Sequence, residues 1–250
     1  MSKTGTSRKK QSATDTETPT LLDFAALQRS EVVANARMNR ERNLSGPNSY
    51  ETDLGLDPMN FLMKALQRRQ HASWLDLCCG TGRALLQAAE ALQKARLTPR
   101  IKLIGVDLVP MFDPIPPVLS CIRLVSTPVE SWETDERFDL ITSVHGLHYL
   151  GDKLGVLQRA SRWLKEDGLL MMHLDYRNVR IVGRGLSGAQ IGRGLHRAGF
   201  RYVPGRHLVV RSGNILQGSV PYRYLGADDK AGPNYTGQEA VDSYYERIRS

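Results

Sequence analysis

The sequence lacks several features that mark whole classes of protein. It has three cysteines in 250 residues, and two of them, Cys78 and Cys79, are adjacent, which leaves no even framework for disulfide bonds. No apolar run approaches the roughly 18 residues that span a bilayer, and the basic N-terminus is not followed by the apolar stretch of a secretory signal. We therefore expect a cytoplasmic protein that does not enter a membrane.

A strong bias in composition is also missing, since charged residues make up 24% of the chain and apolar residues 41%. These values are ordinary for a globular protein, and the length suffices for one domain with appended segments. The net charge of +8 makes an acidic partner such as RNA a hypothesis to consider. The arginines are scattered, however, and no basic run is interleaved with aromatic residues as in a base-stacking platform. Composition thus favours a partner other than nucleic acid.

The N-terminal part of the chain differs from its centre. Residues 1–19 are rich in Ser, Thr and Lys with almost nothing apolar, which predicts a disordered tail. Residues 20–70 show helical spacing of apolar residues from Leu21 to about Arg40, and they predict a second helix from about Met59 to Arg69, with Asp57 as its cap. We expect this helical segment to lie over a ligand site as a lid.

Residues 71–225 alternate short strands with helices, which predicts a doubly wound α/β domain with a mainly parallel, seven-stranded sheet. Its last two strands, Tyr202–Val210 and Gln217–Tyr224, are predicted to form an antiparallel hairpin around the turn at 212–214. Residues 226–250 predict a loop, whose length indicates mobility or a role at a site, and then a short helix. The other predicted strands are Ser73–Leu77, Ile101–Val106, Ile122–Val125, Phe138–Val144 and Leu169–Leu174; the helices are Ala84–Lys94, Lys153–Leu164 and Gly188–Ala198.

The strongest functional signal is a glycine turn, Gly80 to Gly82, between a buried strand and a helix. Glycines let the backbone approach a ligand closely, and the start of the helix offers unpaired N–H groups, as a nucleotide-like ligand requires. A dinucleotide fold would need a third glycine where Leu85 stands. The carboxylate of Asp76 would also repel a pyrophosphate and attract a cation. A dinucleotide-dependent oxidoreductase is therefore disfavoured.

A second signal is the strand from Ile101 that ends at Asp107, 25 residues after Gly82. A carboxylate at the tip of the second parallel strand can accept hydrogen bonds from both hydroxyls of a ribose. Each such charge-assisted bond contributes on the order of 1.5–3 kcal/mol. In this register after the glycine turn, a chance occurrence of both signals is improbable.

With these motifs the sequence resembles the class I S-adenosylmethionine-dependent methyltransferases, whose first motif is D-x-G-x-G-x-G. The resemblance covers about Ser73 to Leu174. Cys78 replaces the first glycine, and we expect it in a strand-end conformation with negative φ. The resemblance implies S-adenosylmethionine as cofactor, with Asp76 and the turn at the methionine end, Asp107 at the ribose and the Ser126-Thr127 loop at the adenine. The implied cofactor-binding residues are Asp76, Cys78, Gly80, Thr81, Gly82, Asp107, Leu108, Ser126, Thr127, Val144 and His145.

The end of the fourth strand provides candidates for the acceptor side. His145 is placed where an imidazole could take a proton from a hydroxyl or amine, or could simply line the pocket. His148 stands where many family members carry a histidine, which favours a cofactor-side or structural role over catalysis. No third ligand at a recognised spacing joins these two histidines, so no metal site is predicted. The predicted substrate-binding residues are Tyr50, His148, Tyr149 and Tyr176.

The sequence therefore predicts methyl transfer to the oxygen or nitrogen of a small molecule, with His145 as the candidate base. The Asn/Asp-Pro-Pro-Tyr and Pro-Cys motifs of base-modifying enzymes are missing, which disfavours nucleic acid as acceptor. Two alternatives stay open, a non-catalytic regulatory protein that binds S-adenosylmethionine and an RNA methyltransferase. Neither the acceptor nor the oligomeric state follows from the sequence.

Overall fold

A computed structural model describes residues 20–34, 41–183, 188–214 and 218–248, which fold around a seven-stranded sheet. The strands are β1 (Ala72–Leu77), β2 (Ile101–Asp107), β3 (Ile122–Ser126), β4 (Phe138–Ser143), β5 (Leu164–His173), β6 (Val179–Ile181), β7 (Arg201–Val203), β8 (Leu208–Ser212), β9 (Tyr222–Asp228) and β10 (Asp242–Arg247). The order in the large sheet is β3-β2-β1-β4-β5-β8-β7, and β3, β2, β1, β4 and β5 are parallel. Since β8 is antiparallel to both β5 and β7, β7 runs in the direction of β5. The predicted doubly wound, mainly parallel sheet is confirmed.

Helices cover both faces of this sheet. The described helices are α1 (Phe24–Gln28), α2 (Glu31–Ala34), α3 (Tyr50–Leu54), α4 (Pro58–Arg68), α5 (Arg83–Lys94), α6 (Lys153–Arg162) and α7 (Gly188–Arg197). All six residues of β1 are buried, and its alternating side chains enter different cores, Trp74 on one face and Leu75 on the other. Such two-sided burial is what a parallel sheet between helices requires. As predicted, α4 begins at Pro58 and is capped by Asp57, whose side chain accepts a hydrogen bond from the Asn60 N–H.

The antiparallel pair at the C-terminal edge of the sheet is formed by other residues than predicted. The segment taken as one strand, 202–210, is divided by a single helical turn at Pro204–Arg206, after which His207 adopts a φ of 50°. Proline has no N–H for a strand ladder, so the chain turns there and returns as β8. Of the second predicted strand, 217–224, residue 217 lies outside the described residues, and Tyr222–Tyr224 are part of β9, which belongs to another sheet.

That second sheet has the order β6-β10-β9, and it corrects the prediction of a short helix within residues 226–250. Asp242–Arg247 is the strand β10, which lies antiparallel to β9 and parallel to β6. Tyrosine favours strands when its ring is buried on a pleated surface. The ring of Tyr245 is fully buried, and its hydroxyl accepts a hydrogen bond from the Leu154 N–H at 3.0 Å.

The N-terminal segment predicted as one helix forms α1 and α2, with a break at residues 29–30. Residues 35–40 and the predicted tail 1–19 lie outside the described residues. Leu22 and Ala227 exchange two backbone hydrogen bonds of 2.8 and 3.1 Å, which join this segment to the second sheet. Within the described ranges, no helix has the length and apolar character to cross a lipid bilayer. The division of the chain into tail, lid, catalytic domain and C-terminal segment stays a prediction.

Candidate active site

A cleft of about 720 Å³, measured with its open mouth, lies at the carboxyl ends of β1, β2 and β4 beneath α1 and α2. Ligands of open α/β sheets bind at this edge. Seven of the residues predicted from sequence line it, namely Cys78, Gly80, Asp107, Leu108, Val144, His145 and Tyr149. The structure adds Phe24, Leu27, Gln28, Val33, Val129, Glu130, Gly146 and Leu150. The helices of the N-terminal segment thus form the roof of the site.

The glycine turn and the acid of β2 are joined directly. The Gly80 N–H donates to Oδ2 of Asp107 at 2.9 Å, and the Val109 N–H donates to Oδ1 at 3.1 Å. Gly82 begins α5 with a φ of 79°, and a Cβ there would lie 2.6 Å from a methyl carbon of Leu124. The two motifs that the sequence indicated are therefore parts of one rigid unit.

Cys78 does not have the negative φ expected from sequence; its φ is 57°. A non-glycine residue in this left-handed region costs on the order of 1–3 kcal/mol, and such residues cluster at functional sites. Burial raises the pKa of its thiol well above the usual value. Its side chain fills space left by Gly146, because a Cβ on Gly146 would lie 2.3 Å from the Cβ of Cys78.

Asp76 lies beneath the cleft and is fully buried. Its Oδ2 accepts a hydrogen bond from the Tyr50 hydroxyl and its Oδ1 one from the Thr142 hydroxyl, both at 2.6 Å. Burial raises the pKa of this carboxyl to about 7, and the charge of Asp107 adds to the effect. Both predicted ligands, Asp76 and Tyr50, therefore contact each other within the protein. Their assignment to the methionine end and the acceptor stays a prediction.

His145 occupies the end of β4 with a φ of 59°, and it is the centre of an aromatic cluster. Its Nδ1 lies 3.2 Å from the Tyr235 hydroxyl, and its Nε2 lies 3.8 Å from Oδ2 of Asp53. Although burial raises the pKa of Asp53, the nearby His145 ring and the charge of Arg42, its ion-pair partner, bring the pKa below the usual value. The Tyr235 hydroxyl and the Asp53 carboxylate thus flank the two ring nitrogens of His145.

Other imidazoles surround this centre. The His173 ring stacks on His145 at 4.3 Å, and burial lowers the pKa of His173 to about 3. His148 is fully buried, neither of its ring nitrogens has a hydrogen-bond partner among the described residues, and burial holds its pKa well below the usual value. The His207 ring stacks on Tyr235 at 3.9 Å. Burial thus keeps His173 and His148 neutral at physiological pH. In the part of the chain that the structure describes, no group of three or more His, Cys, Asp or Glu side chains could hold a metal ion.

The remaining predicted residues lie beside the cleft. Tyr176 stacks on Tyr202 at 3.9 Å, away from its lining. Ser126 donates its hydroxyl to the Leu108 carbonyl at 3.1 Å, and the Thr127 N–H donates to the Asp107 carbonyl at 2.9 Å. Thr81, Gly82 and His148 also lie outside the lining. The roles of these residues toward a cofactor or an acceptor stay predictions.

Sequence reasoning missed Asp53, Glu130, His173, His207 and Tyr235. Tyr235 lies in the loop that the sequence indicated as either mobile or part of a site, yet no motif marks it. It is 90 positions from His145, and its backbone N–H donates to Asp175 at 3.0 Å. Only the folded chain brings these two side chains together.

Comparison with known proteins identifies the family of this chain. Residues 50–208, well over half of the chain, match a family model described as a methyltransferase domain. The chain belongs to the class I S-adenosylmethionine-dependent methyltransferases. It is similar to (S)-coclaurine N-methyltransferase of Papaver somniferum, with 29% identity over 120 residues that cover 46% of this chain and 32% of that protein. This chain therefore spans about a third of the length of that relative.

Parts of two solved methyltransferase structures also match this chain. The amino pentose methyltransferase CalS10 from Micromonospora echinaspora has 22% identity and a TM-score of 0.38, with 51% of both chains covered. The N-methyltransferase NodS from Bradyrhizobium japonicum, solved with S-adenosylhomocysteine, has 20% identity and a TM-score of 0.36. That match covers 60% of this chain and 71% of NodS.

The cleft fits the cofactor of this family. Asp107 offers a carboxylate for ribose hydroxyls, and Leu108 and Val129 offer apolar surface for a base. The side-chain Nε2 of Gln28, which lines the cleft, is buried without a hydrogen-bond partner among the described residues. This amide can therefore donate a hydrogen bond to a bound ligand.

Proposed function

We propose that this protein transfers the methyl group of S-adenosylmethionine to an oxygen or nitrogen atom of a small-molecule acceptor. The observation that carries the proposal is the glycine turn hydrogen-bonded to Asp107 at the floor of the cleft. When bound, the cofactor supplies a methyl group that is attached to a sulfonium sulfur. The remainder of the cofactor, with that sulfur, is the leaving group. Correct alignment of donor and acceptor can contribute about 7–11 kcal/mol to such a displacement.

Asp107 would bind the ribose, and Asp76 and the turn from Gly80 to Gly82 would hold the methionine end of the cofactor. The carboxyl groups of Asp76 and Asp107 attract a cation, which supports a sulfonium nucleoside as the ligand of this cleft. Val144 and Gly146 complete the wall beside the reacting centre.

His145 would act as the base for the acceptor. If the ring proton resides on Nε2, facing Asp53, then Nδ1 carries the lone pair, and Asp53 stabilises the imidazolium that forms. An acceptor hydroxyl or amine that reaches Nδ1 in place of the Tyr235 hydroxyl can release its proton there. Tyr149, which lines the cleft, is a candidate for contact with the acceptor.

A small molecule is favoured as acceptor because the site is a narrow, partly roofed cleft rather than an open basic surface. The name of the Papaver somniferum relative, an N-methyltransferase of coclaurine, supports the same choice. A cytoplasmic location and the exclusion of nucleic acid as acceptor stay predictions from the sequence.

Calorimetry with S-adenosylmethionine, S-adenosylhomocysteine and NAD tests the cofactor, and release of S-adenosylhomocysteine with a panel of phenols and amines tests turnover. We expect heat with the first two ligands and none with NAD. With a productive acceptor, His145→Gln should lower kcat about 100-fold and leave the cofactor Kd within threefold, whereas His196→Gln on α7 should change neither. Absence of heat with both sulfur nucleosides would refute the proposal, and binding without any turnover would favour the regulatory alternative.

A further inference from the structure

A second pocket lies between α7 and the paired strands β9 and β10. Its volume is about 460 Å³, measured with its open mouth. The lining residues are Gln190, Arg193, Gly194, Arg197, Pro221, Tyr222 and Arg247. None of them lines the cleft described above, so the two are separate sites.

One wall of this second pocket is a single stripe of α7. Its four residues, from Gln190 to Arg197, are spaced by three, one and three positions, so their side chains share one face of the helix. Gly194 lets β9 pack closely on this face, since a Cβ there would lie 2.8 Å from a ring carbon of Tyr222. The Tyr222 hydroxyl donates a hydrogen bond to the Gln190 carbonyl at 3.1 Å. The helix is therefore fixed against β9, with Arg193 and Arg197 one turn apart at the same pocket.

Arg247 brings a third guanidinium group to this pocket from β10. It lies directly opposite Tyr222 in the antiparallel pair of β9 and β10, so both side chains stand on the same face of that sheet. Arg223 and Glu246, which precede or follow these residues by one position, form an ion pair with each other. Since successive side chains of a strand point to opposite faces, that pair lies on the other side of the sheet. Glu246, the acid next to Arg247 in the chain, is therefore paired away from the pocket.

The positive charge of this pocket is not balanced by acidic side chains. None of the lining residues is acidic. The guanidinium groups of Arg193, Arg197 and Arg247 form no hydrogen bond or ion pair with any residue that the structure describes. Like charges one turn apart, as at Arg193 and Arg197, destabilise a helix. A bound anion with two or more charges would offset this repulsion, and its oxygens would accept hydrogen bonds from several guanidinium groups at once.

We propose that this pocket binds a phosphate group with two or more negative charges, either as an inorganic anion or as part of a small molecule. Three arginines around one concave pocket suit a compact anion, whereas a nucleic-acid backbone is bound along an extended basic groove with aromatic stacking. Pro221, Tyr222 and Arg247 follow the family match at residues 50–208, so part of this pocket is built outside the matched domain. The proposal does not depend on the function proposed above, because the pocket and the cleft share no lining residue.

Calorimetry on the full chain with inorganic pyrophosphate and with glycerol 3-phosphate tests the proposal. We expect pyrophosphate to bind at one site per chain. Arg197→Gln and Arg247→Gln should each raise its Kd about tenfold or more, since each removes a charge-assisted hydrogen bond. The two variants lie on different elements, so a loss in both shows that α7 and β10 form a single site. Binding of pyrophosphate alone identifies an inorganic anion and binding of both ligands a phosphorylated small molecule, and either result supports the proposal.

Arg123→Gln is the matched control, since Arg123 is also exposed and lies on β3, at the opposite edge of the large sheet. Its Kd should stay within about twofold of the wild-type value at about 0.15 M salt, where charges farther than about 8 Å from the anion are screened. The three substituted arginines are exposed, so the variants should keep the fold, which circular dichroism checks.

Three results would overturn the proposal. The first is no heat with the wild type up to about 5 mM pyrophosphate, which needs no variant. The second is an equal loss of affinity in Arg123→Gln, which would show that only net charge attracts the anion. The third is binding of a single-stranded RNA that both pocket variants weaken, without binding of pyrophosphate, which would assign these arginines to nucleic acid.

Discussion

The Tyr50 hydroxyl lies 2.6 Å from Oδ2 of Asp76, so the short helix α3 shares a buried hydrogen bond with the first strand of the sheet. The Tyr50 ring also meets Trp74 edge-on, with ring centroids 5.7 Å apart. The helical segment before the sheet is thus fastened to the floor of the cleft.

We expect Tyr50→Phe to lower the free energy of unfolding by about 1–3 kcal/mol, because it leaves a buried carboxylate with one donor fewer. Urea denaturation followed by circular dichroism measures this change. Tyr244→Phe is the control, since that partly buried hydroxyl has no hydrogen bond with any residue the structure describes, and it should cost less than about 0.5 kcal/mol. Equal effects of the two substitutions would contradict the role of the Tyr50–Asp76 bond.

The raised pKa of Asp76 predicts a dependence of stability on pH. With a folded-state pKa of about 7 and an unfolded value near 3.9, the folded protein binds more protons than the unfolded chain between these values. Stability from this group is therefore greatest below about pH 4 and is lost as pH rises to 7, by an amount on the order of 3–4 kcal/mol.

Asp76→Asn removes this titration. Unfolding free energies measured from pH 4.5 to 8 should show the wild type losing stability relative to Asp76→Asn as pH rises. Parallel curves for the two proteins would mean that the Asp76 carboxyl does not titrate in this range.

Lys153 is fully buried and donates three hydrogen bonds of 2.7 Å, to the carbonyls of Leu150 and Val241 and to the Ser243 hydroxyl. Lys153→Met should cost about 3 kcal/mol or more, since it leaves buried acceptors without a donor. Hydrogen exchange should then increase in β10. Lys102→Met, which removes only an exposed ion pair with Glu136, should cost about 1 kcal/mol or less.

Cys78 and Gly146 should behave as a coupled pair. Gly146→Ala should destabilise the protein, because its methyl group would meet the Cβ of Cys78. Cys78→Gly removes that clash and relieves the positive φ. We expect an interaction energy of about 1–2 kcal/mol between the two substitutions in a double-mutant cycle of unfolding free energies. Strict additivity would contradict the contact.

Much of the fold could be predicted because its signals are local. The buried run of β1, the glycine turn and the acid at Asp107 each occupy a few consecutive residues. The turn at Pro204–Arg206 was missed, because residues 202–210 were predicted as one uninterrupted strand. The pairing of β10 could not be predicted, because its partners β6 and β9 are set by packing of distant segments.

For the site, too, the residues in local motifs could be predicted and the contacts between distant residues could not. The cofactor floor comes from motifs, and Cys78, Gly80 and Asp107 all line the cleft as expected. The surroundings of His145 come from Asp53 and Tyr235, which are distant in sequence and carry no motif of their own. The burial of Asp76 could not be predicted either, since a carboxylate before a glycine turn does not indicate which side chains will donate hydrogen bonds to it.

The backbone pairing of Leu22 with Ala227 joins two stretches that both lie outside the family match at residues 50–208. A chimera that takes only the matched residues from a relative would therefore combine the relative's cleft floor with the N-terminal helices and C-terminal strands of this chain. Exchanging both flanking stretches together would be needed to carry over the whole enclosure.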